Sequence, residues 1–430
     1  FGYLILLNCN NMYVNPEAKF TQCRFSYLES DASSGGSIGL WFKGNKLNMS
    51  LIFERSTFEN LKYLRPGIGG AITFIKENSN KATHLTINSC TFDNCTSSGS
   101  GAAICYCVPS QQLTITGSNF RRNRCTNSGG FGGAIFVEYQ EDTLPVVIQN
   151  CVFEDVTSND CKGNAIVLTQ NNNNVFHYAT IEYCSFLDCG LSGYVIYYNI
   201  GFVLSSSTSF RFSSTSHSCG GIHKDASANL PSQIILNALS KSGDENKYTL
   251  KIEGSQFCGL SQFDAVNGGA VNLVDCGLSC KKSSFKKCLS KSGSGGAIYI
   301  KSACNHNCEV SLEEVTVDQC KAGFGGAVYL YNNFVSIKKC NFSMNEALFE
   351  NSEFGGGAVF VAVRKGSITD CTFSENRGEG GSLHINNDFE INGLLMEENS
   401  VEIDRCTFKI QKDSKCSLFY VAGNGKSSFV

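Results

Sequence analysis

The residue types best able to do chemistry crowd into one stretch, CGLSCKKSSFKKCLSKSGSGGAIYIKSACNHNC, residues 276 to 308. It carries two C-x3-C pairs, Cys276 with Cys280 and Cys304 with Cys308, and His306 lies inside the second. Thiolates and an imidazole are the ligands of a closed tetrahedral zinc site. The same stretch contains SGSGGAI, which invites comparison with the glycine-rich loops whose backbone amides cradle phosphates. His217, Cys219 and His223 form a second cluster of ligand types. Carboxylates recur at Glu59, Asp93, Glu154, Asp155 and Asp188. Gathered on one face, such groups serve calcium binding or the acid/base chemistry of polysaccharide cleavage. Each of these readings depends on the elements that place the side chains.

Bulk composition narrows the field. The chain has 430 residues, 42% of them apolar, which is ample for a core and too many for a disordered chain. Net charge is −3 with no long run of one sign, which points away from nucleic acid or an anionic membrane bound by bulk charge. The 23 cysteines suggest a secreted or surface chain, and their odd number leaves at least one thiol unpaired within it. No stretch reaches the roughly 18 apolar residues of a membrane span, and the start at Phe1 reads as a fragment or processed product. Any membrane attachment is therefore expected through an anchor outside this chain.

The elements come from a repeat. A GGAI pattern recurs, as GGAI at 69, 132 and 295 and GGAV at 268, 325 and 356. Between its copies runs a second pattern centred on phenylalanine, as in LTINSCTF, VVIQNCVF and VSIKKCNF. The Phe falls at 25, 58, 92, 120, 153, 186, 210, 257, 285, 342, 373 and 408, with Val317 in its place once. The mean spacing is about 32 residues, within the range of solenoid repeats. After each GG, apolar positions alternate with a variable one: Ile135 and Val137 flank Phe136, and Ile298 and Ile300 flank Tyr299. Period two over a short run is a strand with one buried face. Several short strands per repeat, with the same residue type in each column, predict an all-β, right-handed parallel β-helix of about 13 turns. It is read as one domain over residues 1–430, with a polar excursion at 224–247 where the Phe spacing lengthens from about 32 to 47 residues.

The repeat re-sorts the chemistry. GSGGAI leads into a strand rather than a helix, so it is not a nucleotide loop. Leu278 and Cys280 fall on the two inward strand positions, matching Val310 and Leu312 one turn later. Cys280 then points into the core, away from any surface zinc. Cys276 and Cys308 share a column in adjacent turns, about 4.8 Å apart, within disulfide range. They are expected either as a bridge or as thiols. Arg121 and Arg122 interrupt the carboxylate column, which reads as a solvated, charge-paired face. Lys281-Lys282, Glu313-Glu314, Lys338-Lys339 and Thr369-Asp370 alternate in sign turn by turn, as register control would require. The position three after Phe holds Asn123, Asn345 or Asn376 and elsewhere Cys95, Cys189, Cys288 or Cys320, a structural turn position.

The alternation of GGAI with FxxN, as in FRRN at 120, FSMN at 342 and FSEN at 373, resembles the repeats of the polymorphic outer-membrane proteins of chlamydiae. Similar repeats occur in surface proteins of parasitic protists, to which the cysteine and asparagine richness is closer. The resemblance covers roughly residues 20–410 and implies a cell-surface or extracellular adhesin; no cofactor or metal is expected, since no HExxH, P-loop or EF-hand pattern occurs in the chain. Its partner would be a host-cell or extracellular protein or glycan. A candidate platform is the outward column Phe136, Tyr197, Tyr299, Tyr329 and Phe360. A polysaccharide lyase or hydrolase, and a purely structural spacer, are the rival expectations. In a secreted eukaryotic chain NMS at Asn48, NCT at Asn94 and NFS at Asn341 are glycosylation acceptors.

Overall fold

The computed structural model describes residues 5–8, 17–30, 38–43, 49–64, 69–77, 83–108, 112–127, 130–139, 145–159, 163–170, 178–190, 192–198, 202–211, 218–224, 249–262, 267–302, 308–349, 355–386, 390–391, 394–395, 400–409, 419–422 and 426–429. Asn48, His217, Cys304, His306 and all of the 224–247 excursion except Lys224 lie outside the described residues. The chain divides into two compact units, residues 1–204 with 227–237 and residues 205–226 with 238–430. Each is all-β among the described residues and built from parallel strands stacked in register, the predicted parallel β-helix.

One turn in the first unit shows how the repeat folds. Strand Ile104–Val108 follows Gly101-Ala102, where other repeats have the glycine pair, Gln112–Thr116 continues the same sheet, a bend leads to Asn119–Arg121, and a second bend leads to Arg124–Cys125. Ile104 pairs with Ile72 and Ile135 on its two sides, and Phe120 with Phe92 and Phe153. The sequence columns are therefore the strand register. Slipping it by one residue would turn every core side chain to the other face.

Turns that carry all three faces are fewer than the predicted 13. The short third strand follows five of the Phe-face strands in the first unit, from Glu29–Ser30 to Thr157–Ser158. It follows four in the second, from Ser261–Gln262 to Glu346–Ala347. Counting phenylalanines counts only one face. The third face forms only where the residues after the second bend extend far enough to pair.

The phenylalanines fill the interior as a ladder of nearly parallel rings. Centroids are 4.6 Å apart for Phe58–Phe92, 5.0 Å for Phe92–Phe120 and 4.7 Å for Phe120–Phe153. In the second unit the steps are 4.8 Å for Phe210–Phe257 and 4.6 Å for Phe257–Phe285. The step follows from the strand spacing, and each fully buried ring adds a few kcal/mol of apolar burial.

Two residues per turn occupy the left-handed region, one at each bend. At the first bend these include Ser89, Asn150, Lys282, Glu314, Lys339 and Asp370, with φ between 47° and 55°. At the second they include Asn94, Arg122, Asp188, Lys287, Met344 and Glu375, with φ between 50° and 56°. Each such bend diverts one backbone N–H from the interstrand ladder, and a buried amide left unsatisfied costs about 1–3 kcal/mol. The next turn's side chain supplies the acceptor. At the first bend the Cys90 N–H donates to Ser118 Oγ at 3.1 Å, and the Cys340 N–H to Cys371 Sγ at 3.4 Å. At the second bend the Cys320 N–H donates to Asn345 Oδ1 at 2.9 Å, while Asn345 Nδ2 donates to the Val317 carbonyl at 2.9 Å.

Cysteine stands in for asparagine at this second position. The Cys288 N–H donates to Cys320 Sγ at 3.4 Å, and the Cys320 thiol lies 3.7 Å from the Phe285 carbonyl. Burial pushes the Cys95 and Cys189 thiols up to about 12, so they stay protonated and able to donate. The position was expected to be structural and partly buried. It is structural, but Asn123 and Asn345 are completely buried, and the left-handed residue is the one before the asparagine.

The glycine pair has two separate causes, seen at Gly132 and Gly133. Gly132 has φ +68°, and a Cβ there would sit 2.2 Å from the Ile135 carbonyl oxygen. Gly133 has no such φ, but its Cβ would come within 2.3 Å of the Asn164 carbonyl oxygen in the next turn. One glycine is needed for conformation and the other for close stacking.

Candidate binding surfaces

The carboxylate face is built of ion pairs between turns. Glu59 accepts from Arg24 Nε at 2.8 Å, and Asp93 from Arg122 Nε at 2.9 Å. Glu154 pairs with Arg121 at 3.2 Å and Asp155 with Arg124 at 3.4 Å. Arginines thus pair with four of the five carboxylates, Glu59, Asp93, Glu154 and Asp155, while Asp188 stands at a left-handed bend. Sign alternation in the second unit has the same outcome. Lys281 reaches Glu313 at 2.9 Å and Arg405 reaches Asp370 at 2.7 Å. The hydrogen bond from Lys281, reinforced by Lys338 and Lys339, holds the Glu313 carboxyl below its usual range.

The aromatic column stacks as expected but is not an exposed platform. Tyr299–Tyr329 and Tyr329–Phe360 have centroids 5.2 and 4.6 Å apart. The stack continues through His384 to Tyr420, at 5.0 and 4.9 Å. Phe136, Tyr299 and Phe360 are nevertheless buried, and Tyr197 and Tyr329 half-buried. At Tyr329, Phe360 and His384 the reason lies in the glycine segments before the strands, which fold over this column. A Cβ on Gly325 would meet the Tyr329 ring and Phe360 Cβ at 3.0 Å, and one on Gly380 would meet His384 Nδ1 at 2.7 Å. In the first unit Phe136 joins Cys105, Cys107 and Val167 in a small apolar cluster, with Phe131 and Tyr197 at its edge. The column is a second core, roofed by glycine backbone at Tyr329, Phe360 and His384.

The 276–308 stretch behaves as two turns of one repeat. Leu278 pairs with Val310 and Cys280 with Leu312, and Cys280 is fully buried. Cys276 and Cys308 are buried too and are carried as thiols, not as a bridge. Among the described residues no group of three or more His, Cys, Asp or Glu could hold a metal ion. Cys219 and His223 sit on strand Ser218–Lys224.

Of the sequons, Asn94 is exposed at a left-handed bend, where its Nδ2 donates to Asn60 Oδ1 at 2.8 Å. Asn341 is exposed on strand Asn341–Ser343, and Ser343 Oγ donates to Asp318 at 2.8 Å.

A surface not foreseen from the sequence lies at the second bend of the second unit. It is a groove of about 480 Å³ lined by Lys287, Cys288, Leu289, Gln319, Lys321, Met344, Glu346, Glu375 and Arg377. One wall is the left-handed column Lys287, Gln319, Met344, Glu375; the other is Leu289, Lys321, Glu346, Arg377. Lys321 pairs with Glu346 across adjacent turns at 2.6 Å. Met344 in this lining is 44% exposed, and Leu348 and Phe349, 39% and 42% exposed, follow it within five residues of the chain. The sequence signal was there in FSMN, which puts a methionine at an outward bend position held by Arg122 or Glu375 elsewhere.

No protein-family model matches the chain, and no curated protein matches it.

Proposed function

We propose that this chain is a non-enzymatic interaction protein of the cell surface or extracellular space, an adhesin that engages a host protein or glycan through the side of its β-helix. The observation that carries this reading is the groove at the second bend of the second unit, lined in part by the exposed Met344, with the exposed Leu348 and Phe349 close behind it in the chain. Met344, Leu348 and Phe349 fall within six residues of the chain, and exposed apolar side chains grouped in this way are a mark of a partner site. The pairing of Asp93, Glu154 and Asp155 with arginines supports adhesion over polysaccharide cleavage. Binding of the purified chain to host cells, protein arrays and glycan arrays tests the reading. Saturable binding to a protein or glycan is expected. Cleavage of a polysaccharide that Asp155→Ala abolishes would replace adhesion with catalysis, and ordered self-association without any ligand would replace it with a spacer role.

A further inference from the structure

The groove has an internal polarity that narrows the class of partner. Its left-handed wall begins at Lys287 and ends at Glu375, and neither side chain makes an ion pair among the described residues. Between them stand Gln319 and Met344, and the Met344 side chain is exposed. The neighbouring wall differs, because there Lys321 and Glu346 satisfy one another. An unneutralised cation and anion therefore sit at opposite ends of one wall, with an apolar step between them.

The spacing follows from the fold. Lys287 and Glu375 occupy the same column three turns apart, and strands stack at about 4.8 Å, so the two charges stand about 14 Å apart along the axis. An extended peptide advances about 3.3 Å per residue and presents every second side chain to one face. Residues i, i+2 and i+4 of such a segment span about 13 Å on that face. A polyanionic glycan would meet Glu375 with the wrong sign, and a neutral glycan would leave both charges unused.

We propose that this groove docks an extended segment of a partner protein bearing an acidic, an apolar and a basic side chain at alternate positions. The acidic group pairs with Lys287, the apolar one lies on Met344, and the basic one pairs with Glu375. Main-chain groups of the segment lie along the bend, and the side chains set specificity. This rests on the interaction reading above and specifies its site.

The test uses the full chain and three fluorescent nine-residue peptides, serine except at three alternate central positions. One carries glutamate, leucine and lysine there, one glutamate, leucine and glutamate, and one lysine, leucine and lysine. Fluorescence anisotropy should show the mixed-charge peptide binding about tenfold tighter than either like-charge peptide. Lys287→Glu should switch the preference to the two-lysine peptide, and Glu375→Lys to the two-glutamate peptide. Met344→Ala should weaken the mixed peptide about fivefold without changing the ranking. Circular dichroism and thermal melts check that the variants are folded. Equal binding of the three peptides, no saturable binding at millimolar concentration, or a ranking indifferent to Lys287→Glu overturns the proposal. So does displacement of the mixed peptide by a linear oligosaccharide in preference to the unlabelled peptide. If cells still bind the chain while the peptides are not discriminated, the groove assignment falls and the interaction reading survives. If nothing binds the chain in any format, both fall.

Discussion

Two ladders of rings climb the second unit, and they follow opposite rules. The inner one repeats phenylalanine, with Phe342, Phe373 and Phe408 stacked at 5.0 and 4.8 Å. The outer one changes at almost every step, through Asn272, Tyr299, Tyr329, Phe360, His384 and Tyr420 along a single register column. Ring spacing is nearly the same in both, because both inherit it from the strands. What differs is the opposing wall. Inner rings face other strands of the helix, whose positions are set by backbone pairing, so the volume changes little between turns and only Val317 breaks the phenylalanine series of this unit. Outer rings face a glycine segment whose length and path vary between turns, so the volume varies and the residue varies with it.

The sharpest way to break this comparison is to make the same cavity in both ladders. Phe373→Ala removes a fully buried inner ring between two stacked neighbours and should cost about 3–5 kcal/mol. Phe360→Ala removes an equally buried outer ring, yet the glycine roof can settle into the space, and a cost of about 2–3 kcal/mol is expected. Denaturant melts of the two variants read the difference. Equal losses would mean that the roof is as rigid as the strands.

A second effect lies at the bends. Asn345→Ala strands the Cys320 N–H and the Val317 carbonyl in the core, and about 2–3 kcal/mol should be lost. Asn345→Cys should recover roughly half of that, since cysteine fills the same position at Cys288 and Cys320. A cysteine variant no better than alanine would show that the thiols at these bends are spectators.

Acid should separate the ladders next, because only the outer one contains a titratable imidazole. His384 is buried between Phe360 and Tyr420 with both ring nitrogens lacking a hydrogen-bond partner, and burial lowers its pKa to about 4. In the unfolded chain the group titrates near 6.5. Between these values the unfolded state binds more protons than the folded one, so stability is full above about 6.5 and falls as the pH drops towards 4. The loss should be on the order of 2 kcal/mol. His384→Phe should flatten this part of the stability–pH profile; an unchanged slope would place the proton uptake elsewhere. The smallest effect is expected from the surface pairs. Asp93→Asn removes the partner of Arg122 and should leave the melting midpoint unchanged within error, since exposed pairs are screened by solvent.

Much of this was legible before any coordinates. The Phe column, the period-two strands after GG and the alternating charges at Lys281, Glu313 and Lys338 all depend on what each residue meets one repeat later, which a column of sequence displays. The outer ladder was legible as a stack and misread as a surface. Glycine has no side chain to announce what its backbone covers, so the roof over Tyr329, Phe360 and His384 left no apolar signature of its own. The cysteines misled in another way. A shared column suggested a bridge between Cys276 and Cys308, whereas both are thiols, and the cysteines in the columns of Ser118 and Asn345, such as Cys371 and Cys320, act as hydrogen-bonding caps.

By itself, then, the sequence determined the parallel β-helix, its register, its phenylalanine core and the positions of its bends. Those follow from periodicity, and periodicity survives in one dimension. Only the tertiary structure decided which face of the GGAI strand is covered, which thiols satisfy which amides, and that Lys287, Met344 and Glu375 line one groove. These depend on the path of connecting segments and on contacts between turns, where no repeat of residue type records the distance.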